Sequence, residues 1–139
     1  MDERTRERER MWSSSPDLIA MIDPHGYFLD VNPVWTSVLG WDREQVVGKR
    51  IDALIHPEDQ ASAEGALARA TVGILPSFEC RILHVDGSHR IVAWTAAPNA
   101  RTIFAFGRDI TADRERSVAL AMAEEQLRQA QKMEAIGQL

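Results

Sequence analysis

The side chains able to do chemistry in this 139-residue chain are few and scattered: one thiol, Cys80, and four imidazoles, His25, His56, His84 and His89. A single cysteine makes no internal disulfide and fits a reducing cytoplasm. On a strand it serves as a small buried hydrophobe and needs no redox role. His84 and His89 flank Asp86-Gly87 and invite a metal pair across a turn. In the strand register argued below they fall on opposite faces, and no carboxylate or second thiol completes a site, so no metal is assigned. No serine–histidine arrangement and no carboxylate pair stands out for acid–base or nucleophilic work. The chain is therefore expected not to be an enzyme in itself.

Composition narrows the class further. Sixteen basic against 21 acidic residues leave a net charge of −5, so nothing points to nucleic acid. No apolar run approaches the roughly 20 residues needed to span a bilayer, and no signal peptide is expected ahead of the domain. With 45% hydrophobic residues the chain can hold one domain with a real core plus helical extensions.

The elements that must position any site follow in order. Residues Asp2–Arg10 are a charge run with opposite charges three apart and like charges four apart, expected as a solvated linker or frayed helix. Met11 and Trp12 are the first apolar pair, and Ser13-Ser-Ser-Pro16 breaks the helix. Leu18–Ile22 and Tyr27–Val31 read as a hairpin around Asp23-Pro-His-Gly26. Asn32 is expected to cap a short helix with Pro33 at its first position, ended by Gly40, and Asp42 to start another turn. His56-Pro-Glu-Asp59 opens an alanine-rich helix that Thr71-Val-Gly73 closes.

Two strands surround Asp86-Gly87. A two-residue turn would set Glu79 opposite Trp94 and Arg81 opposite Val92. A three-residue loop instead pairs Ile82 with Val92, Cys80 with Trp94 and Phe78 with Ala96, which separates an apolar face from a mixed one and is preferred. Pro98-Asn99 is expected to turn the chain into the last strand, Thr102–Gly107. Strands at both ends with short helices between them make an α+β domain, with helices on one face of an antiparallel sheet.

From Ala112 to Leu139 the chain is rich in strong helix formers, with Thr111 as N-cap and Asp113 and Glu115 where the helix dipole favours acids. Such a helix would run roughly 40 Å. Ala119, Met122, Gln126, Gln129, Met133 and Ile136 form one seam, and Leu120, Ala123, Leu127 and Ala130 another. The two seams make a broad stripe that calls for a partner chain and suits a helical bundle, the alternative being a terminal helix folded back on its own domain. Glu124 and Arg128 are four apart in the favourable order. The helix reaches Leu139 without a terminator, as if the segment continued.

These features together resemble a PAS domain, a sensory module, over about residues 12–111. The resemblance rests on Pro16-Asp17-Leu-Ile-Ala-Met-Ile-Asp23 followed by Gly26, and on Asn32-Pro33 before an aromatic-containing helix. Leu39-Gly40-Trp41 with Gly48, His56-Pro-Glu-Asp59, Glu79-Cys-Arg81 with Asp86-Gly87, and Gly107-Arg-Asp-Ile-Thr111 continue it. Residues 1–12 then read as an N-terminal linker or helix, 13–111 as a PAS domain with a five-stranded antiparallel sheet, and 112–139 as a coiled-coil-like signalling helix. The tail Glu125–Leu139 resembles the start of the dimerisation helix of sensor histidine kinases. No histidine lies on it, so no phosphorylation site is assigned, and the chain is expected to be the regulatory fragment of a larger two-component kinase.

The resemblance implies a small molecule between sheet and short helices. In the preferred register the inward residues are Phe78, Cys80, Ile82, Val92 and Trp94, with Ile103, Ala105 and Gly107 on the last strand. A filled core and a ligand cavity both fit this set. Flavin-photosensing relatives need a reactive helix cysteine, which Val47–Ile55 lacks, and haem-binding relatives a helix histidine, whereas His56 reads as a helix start; both cofactors are disfavoured and none is named. Asp109 and Thr111 would carry a signal from sheet to helix. Met11, Trp12, Phe104 and Phe106, with Met122, Leu127, Met133 and Ile136, are the candidates for a homodimer interface. A ligand-free dimerisation module, or the same sensor on another output such as a nucleotide cyclase, stays open.

Overall fold

Five runs rich in β-branched and aromatic residues form the strands of a single antiparallel sheet in a computed structural model that describes residues 2–137. The chain divides into two units, one ending at Asp109 and one beginning at Ile110. In the first, helix α1 (Glu3–Ser14) precedes strands β1 (Leu18–Ile22) and β2 (Phe28–Val31). Short helices α2 (Val34–Leu39) and α3 (Arg43–Val46), two 3-10 turns (Ile51–Ala53 and Pro57–Asp59) and helix α4 (Gln60–Val72) follow. Strands β3 (Leu75–Leu83), β4 (His89–Asn99) and β5 (Thr102–Asp109) complete the sheet. Its order is β2-β1-β5-β4-β3, so the last strand lies at the centre, paired with both β1 and β4. The second unit is α5 (Thr111–Gly137), a single helix.

The charge run at the N-terminus is helical. Asp2 caps it, its carboxylate accepting from Thr5 N–H at 2.8 Å. The helix ends at Ser14, ahead of Ser15, which is extended as a residue before proline must be.

Asn32 does not cap α2. That helix starts at Val34 behind Pro33, without a side-chain cap. The buried Asn32 amide instead accepts from Ile19 N–H at 2.9 Å and donates to the carbonyls of Asp17 and Trp12 at 3.0 and 3.1 Å. These three partners bind the end of α1, the start of β1 and the end of β2 together. Gly40 closes α2 at φ 80°, and Asp42 with Gln45 forms a capping box on α3.

The β3–β4 register differs from both expected ones. Phe78 pairs with Trp94, Cys80 with Val92, Ile82 with Arg90 and Leu83 with His89. The connection is a five-residue loop, His84–Ser88, rather than one of two or three. It satisfies its own backbone: His84 N–H donates to Ser88 O at 2.7 Å, Gly87 N–H to His84 O at 3.0 Å, and the Asp86 carboxylate accepts from Ser88 N–H at 2.8 Å. Val85 N–H donates to Leu39 O and Trp41 Nε1 to Leu83 O, which hold the loop against the end of α2. The slip is of two residues, so side-chain parity is unchanged and the same residues face inward.

The next turn also shifts. Pro98 and Asn99 stay in β4, opposite Ile103 and Thr102, and the chain turns at Ala100 (φ 57°) and Arg101. Pro98 lies beyond the last β3 pair, where its missing N–H costs no ladder bond. Strand β5 extends to Asp109, two residues further than its apolar pattern, because Arg108 and Asp109 pair with Ala93 and Val92.

On α5, Arg128 bonds Glu125 (2.7 and 3.0 Å), one turn back, rather than Glu124. Of the expected run to Leu139, Gln138 and Leu139 lie outside the described residues. No described helix is long and apolar enough to cross a membrane.

Candidate functional site

The inner face of the sheet and the segments over it line a partly open cavity of about 80 Å³. The sheet contributes Phe78, Cys80 and Ile82 from β3, Trp94 and Ala96 from β4, Ile103 and Ala105 from β5, and Ile22 and Phe28 from the first hairpin. The opposite wall is Ile51, Leu54 and Ile55 with Ala63, Ala66, Leu67 and Ala70 of α4, and Trp35 of α2 closes one side. Alanine on the inner stripe of α4 is what leaves the space, because a longer side chain at 63, 66 or 70 would reach into it.

Of the residues singled out from sequence, Phe78, Cys80, Ile82, Trp94, Ile103 and Ala105 lie on this wall. Val92 is fully buried in the core beside it. Gly107 sits under the Trp94 ring, which takes the space its side chain would need. Sequence reasoning missed the α4 alanines, although their 3-4 spacing was readable, and the aromatic side. There Trp35 meets Phe28 edge-on at 5.3 Å and Trp94 at 6.1 Å, while its Nε1 donates to Ile19 O.

Two ion-pair clusters tie α4 and the 3-10 turn that leads into it over the cavity. Arg81 on β3 donates to Asp59 from its backbone N–H (2.8 Å), Nε (3.0 Å) and Nη2 (2.9 Å), and to Glu58 at 3.1 Å. These bonds, foremost the side-chain one from Arg81, hold the Asp59 carboxyl down to about 2. On the other flank Arg50 grips Glu64 and donates to His25 O at 2.9 Å. Burial pushes the Cys80 thiol up to about 12, with a side-chain hydrogen bond to Trp94 acting against it.

The histidines stand apart from the wall. His56 Nδ1 accepts from Glu58 N–H and its ring lies 4.7 Å from that of His89. His84 Nδ1 accepts from Asp86 N–H, while His25 is exposed. Among the described residues no group of three or more His, Cys, Asp or Glu could hold a metal ion.

At the end of β5, Asp109 pairs with Val92 and accepts from Arg90 Nε at 3.0 Å. Thr111 is buried and is the first residue of α5. On the outer face of the sheet, Met11 and Trp12 of α1 line one groove with Phe104 and Phe106 of β5 and with Ile19 and Met21 of β1. Met11 is 71% and Phe106 44% exposed. The two β1 residues were not foreseen; a strand apolar on both faces was the available signal. Leu120, Met122, Leu127, Met133 and Ile136 of α5 are all exposed.

No curated protein sequence matches the chain. Among solved structures, a domain of the sensory box sensor histidine kinase/response regulator from Geobacter sulfurreducens is 25% identical with a TM-score of 0.69, over 76% of this chain and 94% of that one. The PAS domain of the HTR-like protein from Haloarcula marismortui is 25% identical with a TM-score of 0.70, over 79% and 100%. The Cronobacter turicensis RpfR quorum-sensing receptor PAS domain in complex with BDSF shares the fold at 18% identity and a TM-score of 0.63, over 71% and 98%. The family model for the PAS fold matches residues 12–115, most of the chain, and the chain belongs to that family.

Proposed function

We propose that this chain is the sensory and regulatory part of a cytoplasmic two-component sensor histidine kinase, acting as a homodimer and relaying the state of its cavity through α5 to a kinase core. The observation that carries the reading is Trp94. Its indole forms part of the cavity wall and rests on Gly107, two residues before β5 ends. A ligand that displaces the ring bears on the central strand, and that strand leads within two residues into a helix with an exposed apolar stripe.

The kinase assignment is supported by the Geobacter sulfurreducens domain, which comes from a sensory box sensor histidine kinase/response regulator. Ligand sensing is supported by the cavity, and by the Cronobacter turicensis domain, which holds BDSF. The part played by this chain is regulatory rather than catalytic. Its one thiol is held far above neutrality by burial, and His56 and His84 are engaged with neighbouring backbone N–H groups.

The stripe on α5 is the surface for the second copy, with the groove between α1 and the outer sheet face as additional apolar area. Sedimentation equilibrium on the 139-residue chain tests this. A dimer is expected, turning monomeric in the double variant Leu127→Glu, Met133→Glu with its circular dichroism retained. A monomeric wild-type chain at tens of micromolar overturns the dimeric role of α5.

A further inference from the structure

We propose that the cavity takes a small, uncharged molecule without hydrogen-bonding groups: an aromatic or short aliphatic hydrocarbon, or the apolar end of such a molecule. This rests on the reading of the cavity as the sensory site and adds the chemical class of what is sensed.

The wall excludes other classes by its hydrogen-bond accounting. Among the described residues, every buried side-chain nitrogen and oxygen already has a partner. No cationic, anionic, hydroxyl or amide side chain lines the cavity. The polar side-chain atoms on the wall are the two indole N–H groups of Trp35 and Trp94 and the Cys80 thiol, with no oxygen acceptor among them. Trp35 Nε1 donates to Ile19 O at 3.1 Å, and the Cys80 sulfur is at most a weak acceptor. The backbone offers nothing more at the 3-10 turn, where Leu54 N–H donates to Ile51 O and Leu54 O accepts from Leu83 N–H.

A carboxylate, phosphate or hydroxyl placed here would lose its water and find no replacement, which disfavours it strongly. An apolar molecule loses nothing on entry. Apolar cavities stay dry, and one of about 150 Å³ lined by Leu, Ile and Phe takes benzene; with about 80 Å³ here, a full ring enters only by displacing side chains of the wall. The arginines at the edges do not alter the argument. Arg81 is paired with Asp59 and Glu58 and Arg50 with Glu64, and neither lines the cavity.

The test titrates the purified chain with toluene, phenol and benzoate, which share a ring and differ in polarity and charge. Binding is read as the change in tryptophan emission and located by methyl shifts of Ala63, Ala66 and Ala70. The expected result is saturable binding of toluene with shifts at those methyls, phenol at least tenfold weaker, and none for benzoate. Phenol or benzoate binding as tightly as toluene, with shifts at the same methyls, overturns the ligand class while the cavity remains a binding site. Failure of all three to shift those methyls overturns the reading of the cavity as a ligand site, and this proposal with it.

Discussion

The six-membered ring of Trp94 occupies the place where a side chain on Gly107 would begin: a Cβ there would lie 2.6 Å from Cζ3 and 2.8 Å from Cε3 and Cη2. The two residues are direct cross-strand partners on β4 and β5. Gly107 is thus required for close approach, and φ plays no part in the requirement. Replacing Gly107 with Ala must push the indole off the strand and disturb the cavity wall. The expected cost is about 1–3 kcal/mol, the range for overpacking a filled site. Tryptophan emission should shift with it. An unchanged urea midpoint and unchanged emission would show that the ring moves freely and couples nothing.

How much of this was legible in the sequence depends on what kind of information fixed each element. Parity along a strand is local, so Phe78, Cys80, Ile82 and Trp94 were placed on the inner face although their register was two residues off. Register depends on loop chemistry, and the self-bonding of His84, Asp86 and Ser88 carries no strong pattern in the sequence. Asn32 shows the same limit: Asn-Pro is a helix-start signal, but its amide was taken by partners 13, 15 and 20 residues away. The cavity was the least legible, because it is defined by small residues on α4, whose effect depends on how far that helix stands from the sheet.

Filling the cavity should stabilise the fold and abolish its use. Ala66 is buried on α4 and faces the space, and leucine keeps helix propensity there. Ala66→Leu is expected to raise stability by roughly 0.5–2 kcal/mol and to eliminate toluene binding. Thermal melts and the same titration read both. A variant that still binds toluene as the parent does would place the ligand elsewhere.

Cys80 should be inert in the folded protein. With burial holding its thiol at about 12, almost none of it is thiolate at pH 8. A thiol reagent at pH 8 is expected to react only on the timescale of unfolding, and immediately in concentrated urea. Rapid stoichiometric reaction without denaturant would mean that the β3 wall opens readily, which the Phe78, Cys80 and Ile82 pairings argue against.

The Asp59–Arg81 pair gives stability a defined acid dependence. The folded carboxyl is depressed from 3.8 to about 2, so the folded state binds the proton less tightly than the unfolded chain. Its stabilising effect is therefore complete above the unfolded value and fades as pH falls from about 5 toward 2. Asp59→Asn should flatten that part of the profile, and urea midpoints of variant and parent should converge near pH 2. Parallel profiles across the whole range would remove Asp59 from the acid response.

The Asn32 amide is the strongest test of how the N-terminal helix is held. It is 2% exposed, and its three bonds reach Ile19 N–H, Asp17 O and Trp12 O. Asn32→Ala removes all three and leaves the Ile19 N–H without its side-chain acceptor. At about 1 kcal/mol net for each bond, with more for a stranded buried donor, the loss should reach roughly 3 kcal/mol. Asn32→Asp separates the two halves of the interaction: the acceptor for Ile19 survives, while both donors are lost and a buried charge is added. Hydrogen exchange should then show faster exchange over α1 in both variants, and deprotection of Ile19 only in the alanine one. If α1 exchanges equally fast in the parent, the Trp12 bond does not restrain the helix, and the groove it forms with Phe104 and Phe106 is not a fixed surface.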